Sequence, residues 1–206
     1  MNKKVCILDY GLGNILSLKN SLNYLGHNNF LISEEKNKSF DCLIIPGVGS
    51  FSQAINLIKK KNLKNFIDLG VKNNSLILGI CLGMQILFKK GYENGETPGL
   101  NYFEGEVKKM SGKTIKKLPH IGWSETNFSK NEENLFNKYS GEKFYYIHSF
   151  ECKTSNNKDT LANSKYYEHK FVAAVKKKNL IGFQFHPEKS GEVGLNLLND
   201  VLNNYS

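Results

Sequence analysis

A chain of 206 residues with 40% hydrophobic residues can enclose a core without disulfide or metal staples, and no apolar run approaches the roughly 20 residues that span a bilayer. The net charge of +9 rests on lysine alone, in short groups such as Lys59–Lys61, Lys116–Lys117 and Lys176–Lys178; without arginine for bidentate contacts this reads as solvated surface, not a nucleic-acid footprint. Met1 to Lys4 leads into an apolar run too short for a signal peptide, and Cys6, Cys42, Cys81 and Cys152 form no C-x-x-C pair, so a cytoplasmic protein with free thiols, no metal and no membrane span is expected.

The chain opens on a short apolar strand running to Asp9-Tyr10-Gly11. Asn14 can cap a helix whose Ile15, Leu18, Leu22 and Leu25 repeat at helical spacing, and Gly26 ends it. Phe30–Ser33 and Asp41–Ile45 read as strands, the second stopped by Pro46-Gly47. Phe51–Lys60 and Leu63–Lys72 read as helices, Ser75–Ile80 as a strand and Leu82–Lys89 as a helix. Strands alternating with helices predict a parallel, doubly wound sheet, whose reactive groups gather beyond the strands' carboxyl ends. The second half differs. Tyr102–Met110, Phe144–Cys152, Phe171–Lys177 and Leu180–Phe185 are strand-like, with a hairpin between Val175 and Leu180. Asn131–Ser140 and Thr154–Lys158 read as polar loops. A last helix follows Ser190, with Val193, Leu197, Val201, Leu202 and Tyr205 inward. The expected fold is a single α/β domain over 1–206, mostly parallel and flanked by helices, with an antiparallel portion in the second half.

Gly79-Ile80-Cys81-Leu82-Gly83 sits between a predicted strand and a helix. A nucleophile there lies on a sharp turn that flanking glycines relieve. The helix's first N–H groups favour a thiolate, and the N–H of Leu82 is placed for an oxyanion. The bland alternative is a structural cysteine in a tight turn. In Phe183-Gln184-Phe185-His186-Pro187-Glu188, alternation puts Gln184 and His186 on one face; His186 with Glu188 to orient it is the base half of a triad. A surface His-Pro-Glu turn is the alternative. Pro46-Gly47-Val48-Gly49-Ser50-Phe51 can offer backbone N–H groups to an anion or be only a turn.

Gly-x-Cys-x-Gly-Met-Gln at 79–85 with His186-Pro187-Glu188 far downstream resembles the triad glutamine amidotransferases. The Pro46–Phe51 loop, Asp9–Asn14, Pro119–Trp123 and Tyr146–Phe150 narrow the resemblance to the glutaminase subunit of imidazole glycerol phosphate synthase. The resemblance implies Cys81 as nucleophile, His186 as acid/base and Glu188 as its orienter. It implies Val48, Gly49 and Leu82 around the oxyanion. Gln85, Glu93 and the backbone at Ser149 and Phe150 would hold glutamine's amino-acid end. His120, Trp123 and Lys189 would meet a barrel-shaped synthase partner, giving a heterodimer that passes on ammonia with no cofactor. His148 is expected near the site, and His27 and His169 on the surface.

Two positions depart from the family pattern: Leu16, where arginine is common, and Ser124, where asparagine is common. Both bear on partner contact, not on the triad. They keep open a paralogous glutaminase that feeds ammonia to a surface-sugar amidation, and a non-catalytic binding scaffold is the reading from another class.

Overall fold

The computed structural model describes residues 3–32, 39–129 and 135–205. In chain order the elements are β1 (Val5–Leu8), α1 (Ile15–Tyr24), β2 (Asn29–Ile32), β3 (Cys42–Ile45), α2 (Phe51–Lys60), α3 (Lys64–Lys72) and β4 (Leu76–Ile80). There follow the single turn α4 (Leu82–Gln85), β5 (Phe88–Gly91), β6 (Thr97–Pro98), β7 (Phe103–Lys109), β8 (His120–Phe128), β9 (Lys143–His148) and β10 (Phe150–Thr154). The chain closes with β11 (Thr160–Tyr166), β12 (His169–Lys177), β13 (Leu180–Phe183) and α5 (Gly191–Asn204).

Nine strands pair in the order β2-β1-β3-β4-β13-β12-β11-β8-β9. From β2 to β13 the pairs are parallel; from β13 to β9 they are antiparallel. A smaller sheet, β10-β7-β5-β6, packs beside it. Residues of the central strands are buried on both faces, so the two-residue period appears as a division of the core. Val5, Ile7, Cys42 and Ile44 face a cluster closed by α1 and α5 through Leu18, Leu22, Leu197 and Val201. Cys6, Leu8, Leu43 and Ile45 face a second cluster with Phe51, Ile55, Ile58 and Ile67 of α2 and α3, and with Phe88, Phe103 and Val107 of the small sheet. Helix α1 begins as its sequence requires: the Asn14 side chain accepts from Ser17 N at 3.2 Å.

Four expectations need correction. The helix expected over Leu82–Lys89 ends at Gln85, and Phe88 starts β5. Ile86, Leu87 and Phe88 are all fully buried, and a continuous apolar run carries no period that separates helix from strand. The strand expected over Phe144–Cys152 is two strands: the chain leaves the large sheet after His148 and enters the small one at Phe150. The strands β8 and β11 were not expected: β8 is half polar with alternate side chains exposed, and β11 carries a register irregularity near Ala162 that breaks its alternation. Of the loop expected over Asn131–Ser140, residues up to 134 lie outside the described ones; beyond them Phe136 and Tyr139 are buried in the core.

Candidate active site

The parallel register brings the chemistry to one edge. Ile80 of β4 lies opposite Phe183 of β13, and Cys81 N donates to Phe183 O at 2.7 Å. Cys81 therefore follows β4 beside the chain that leads to His186. Its backbone stands at φ 54°, ψ −111°, a conformation that costs a non-glycine residue on the order of 1–3 kcal/mol. The turn is possible because its neighbours lack side chains. A Cβ on Gly83 would lie 1.8 Å from Ile45 O, and one on Gly79 would lie 2.7 Å from Gly83 O. Leu82 and Gly83 open a helix of one turn only, so what faces the sulfur's surroundings is a few first-turn N–H groups rather than the dipole of a long helix.

His186 is 2% exposed, and its Nδ1 donates to Glu188 Oε1 at 2.8 Å. The other oxygen of Glu188 is buried without a hydrogen-bond partner among the described residues. The carboxylate thus depends on the imidazole for compensation. His186 Nε2 has no hydrogen-bond partner among the described residues, but Cys81 lies close enough to act on it. Burial opposes charging the ring. The electrostatic influence of the neighbouring Cys81 sulfur, followed by that of Glu188, outweighs this and raises the imidazole to about 10. The loop carrying it is stitched down: His186 N donates to Tyr145 O at 2.9 Å, and the Ser190 hydroxyl donates to His186 O at 2.6 Å and accepts from Tyr145 N at 2.9 Å.

In front of Cys81 lies a cavity of about 280 Å³ walled by Val48, Gly49, Leu82, Gln85, Glu93, Pro119 and Ile147–Phe150. That suits a ligand of amino-acid size. The Pro46–Gly49 loop is held against the turn: Tyr10 Oη donates to Pro46 O at 2.6 Å, and Gly47 leaves no room for a Cβ beside Leu82. Glu93 Oε2 accepts from Phe51 N at 2.7 Å, anchoring the loop's far end. Gln85 Nε2 donates to Phe150 O at 3.1 Å and to Gln184 Oε1 at 3.0 Å. The Cys81 Sγ lies 3.7 Å from Ile147 O, to which a thiol can donate, and 3.7 Å from Gln184 Nε2.

The family model described as glutamine amidotransferase class-I matches residues 6–204. The chain belongs to the class-I glutamine amidotransferase family. It is 41% identical over 201 residues to the imidazole glycerol phosphate synthase subunit HisH of Lactococcus lactis, covering 97% of this chain and 98% of that one. With the subunit of the same name from Aquifex aeolicus it shares 36% identity over 197 residues, covering 95% and 94%. Among solved structures, PurLQS from Thermotoga maritima matches with a TM-score of 0.77 at 20% identity over 100% of both chains. A glutamine amidotransferase from the same organism matches with a TM-score of 0.71 at 14% identity, covering 100% and 98%. At such identities these two structures speak for the fold alone.

Within this amidotransferase fold Val48, Gly49, Cys81, Leu82, Gln85, Glu93, Ser149 and Phe150 share one cavity, with His186 and Glu188 behind the sulfur. The three residues expected at a partner face separate. Trp123 is 53% exposed. Lys189 is partly exposed. His120, expected on that face, is instead 2% exposed and points inward, because alternation along β8 turns Ile121 and Trp123 outward. His27, expected on the surface, is buried against Asn199 Oδ1 at 2.9 Å. His169 is mostly covered by its pairing with Glu151 at 3.0 Å. Sequence reasoning missed Ser190, whose hydroxyl shapes the His186 turn. It placed Gln184 on the face of His186 without giving it a task. No cluster of three or more His, Cys, Asp or Glu residues suited to a metal occurs among the described residues, and none of their helices is long and apolar enough to cross a membrane.

Proposed function

We propose that this chain is the glutaminase subunit of imidazole glycerol phosphate synthase in histidine biosynthesis. In this reading it releases ammonia from glutamine at Cys81 and hands it to a barrel-shaped synthase subunit, with which it forms a cytoplasmic heterodimer. The observation that carries the chemistry is the strained Cys81 at the floor of an amino-acid-sized cavity, with the buried His186–Glu188 pair behind it. The shared identity with subunits called HisH supports the assignment of pathway and partner.

Glutamine enters with its side-chain amide against Cys81, and Gln85, Glu93 and the Ser149–Phe150 backbone hold its amino-acid end. The thiolate attacks the amide carbon, forming a C–S bond. N–H groups of Leu82 and the Val48–Gly49 loop take up the oxyanion. His186, held as the imidazolium, protonates the departing nitrogen; the C–N bond breaks and ammonia leaves. Water, giving a proton to His186, then attacks the thioester, releasing glutamate and the thiolate. Free ammonia in water is largely protonated and lost as a nucleophile, so a covered path into a partner is part of the proposal. Trp123 and Ile121, 53% and 57% exposed on the outer face of β8, offer that partner an apolar seat near the cavity wall formed by Pro119.

The test is glutamine hydrolysis by the chain alone and with purified barrel subunits. Weak turnover alone, stimulated by the histidine-pathway barrel and abolished by Cys81→Ala, is expected. Stimulation only by a barrel from surface-sugar amidation would move the chain to that paralogous role. A folded chain whose Cys81 is not labelled by a glutamine-analogue electrophile would be a non-catalytic scaffold.

A further inference from the structure

Gln184 has no part in the steps above, yet it is fully buried beside the nucleophile. A buried side-chain amide is costly unless its donors and acceptor are used. Here both groups go to the site: Nε2 donates to Cys81 Sγ at 3.7 Å, and Oε1 accepts from Gln85 Nε2 at 3.0 Å. The orientation of this amide is dictated from a distance. The carbonyl of Phe150 can only accept, so Gln85 presents Nε2 to it at 3.1 Å. The second N–H of that nitrogen reaches Gln184, which must answer with its oxygen. Its own NH₂ is thereby left facing the sulfur. A flipped Gln184 would set donor against donor at Gln85 and oxygen against sulfur at Cys81.

Sulfur is a weak acceptor as a thiol and a far better one as a thiolate. An N–H aimed at it therefore favours the ionised form. An amide neither takes nor gives the proton, so it does this without competing with His186. The sulfur's other polar neighbour, Ile147 O at 3.7 Å, suits only the protonated sulfur. We propose that Gln184 is a positioning residue for Cys81: its amide, locked in one orientation by Gln85 and the Phe150 carbonyl, fixes the sulfur and lowers the cost of ionising it. This rests on Cys81 being the nucleophile. It also gives Gln85 a duty inside the protein besides lining the cavity.

The test is the pH dependence of Cys81 alkylation by iodoacetamide in the full chain, read at the Cys81 peptide, with thermal unfolding in parallel. Gln184→Met keeps length and volume but removes the N–H. It should raise the alkylation midpoint by about half a pH unit to one unit and lower kcat about tenfold, with KM within about twofold. Gln184→Glu keeps the acceptor for Gln85 but turns a carboxylate oxygen to the sulfur. It should raise the midpoint further, and it carries the test alone if Gln184→Met is insoluble. Midpoints unchanged in the folded variants would overturn the proposal and leave Gln184 a packing residue. A folded parent chain in which Cys81 resists labelling at every pH would instead remove the nucleophile assignment, and this proposal with it.

Discussion

His120 and His148 stand opposite one another on β8 and β9, with Nδ1 of the first 3.1 Å from Nε2 of the second. The pair is ordered by its ends. His148 Nδ1 donates to the Phe150 carbonyl at 2.8 Å, so its Nε2 accepts from His120. His120 Nε2 then accepts from the Ser124 hydroxyl at 3.0 Å. Each ring has one proton and one place for it. Burial among Tyr146, Tyr166 and Phe171 holds both rings neutral, lowering His120 to about 4 and His148 to about 3. The hydrogen bond from His148 to Phe150 opposes this, and the neighbouring His120 and His186 reinforce it.

A prediction about acid stability follows from the sign of these shifts. Both folded values lie below the ordinary 6.5, so the unfolded chain binds protons first as the pH falls. The pair's contribution is fully present above pH 6.5 and is lost as the pH drops toward 4 and 3. Each histidine adds a slope of up to about 1.4 kcal/mol per pH unit over that range. Urea unfolding from pH 7.5 to pH 4.5 should show it, and His120→Phe should remove about half of the histidine part. Equal slopes in parent and variant would show that the pair does not set acid stability.

Glu188→Gln keeps a hydrogen-bond acceptor for His186 Nδ1 but removes the charge. Cys81 contributes more than Glu188 to raising His186, so the imidazole should fall from about 10 without returning to its ordinary value. The alkaline limb of kcat/KM, which reports loss of the proton needed by the leaving nitrogen, should move to lower pH. Turnover should fall by about two orders of magnitude or more. An alkaline limb that stays in place would mean that Glu188 holds the ring by geometry alone.

The strain at Cys81 gives a prediction independent of chemistry. Cys81→Ala and Cys81→Gly should both be inactive. At φ 54° glycine escapes a cost that alanine retains, so Cys81→Gly should be the more stable of the two by about 1 kcal/mol, after its greater unfolded-state entropy is set against the relief. Thermal unfolding decides the order. Alanine equal to or above glycine would show that the surroundings, not the backbone, carry the strain.

How much of this was legible depends on which force placed each residue. Cys81, His186 and the 46–51 loop were readable because a parallel sheet sends strand ends to one edge, and short segments rich in Gly, Pro, Cys and His stand out there. The region after Gln85 was not. Ile86–Phe88 is apolar throughout, so nothing local marks where the helix stops; Phe88 opens β5 by pairing with Phe103 of β7, which no local pattern shows. The break at Ser149 was hidden because residue types go on alternating through Phe150-Glu151-Cys152-Lys153 after the chain changes sheets. His120 was placed at the partner face by the family resemblance, and its inward direction needs β8, a strand its polar residues conceal. The link from Gln184 to Cys81 needs the β4–β13 register, which no local pattern contains.

Glu93 joins two demands that one substitution pair can separate. Its Oε2 accepts the N–H of Phe51 at 2.7 Å, at the first residue of α2 and directly after the Val48–Ser50 loop. The same side chain lines the cavity, where a carboxylate suits a substrate ammonium. Glu93→Ala should lose both, lowering stability by about 1 kcal/mol through the lost helix-start partner and raising KM for glutamine about tenfold or more. Glu93→Gln retains an oxygen for Phe51 but no charge. Its unfolding temperature should return close to that of the parent while KM stays raised. If Glu93→Gln recovered both, the charge would serve neither role, and a neutral oxygen at position 93 would suffice for the ammonium as well as for Phe51.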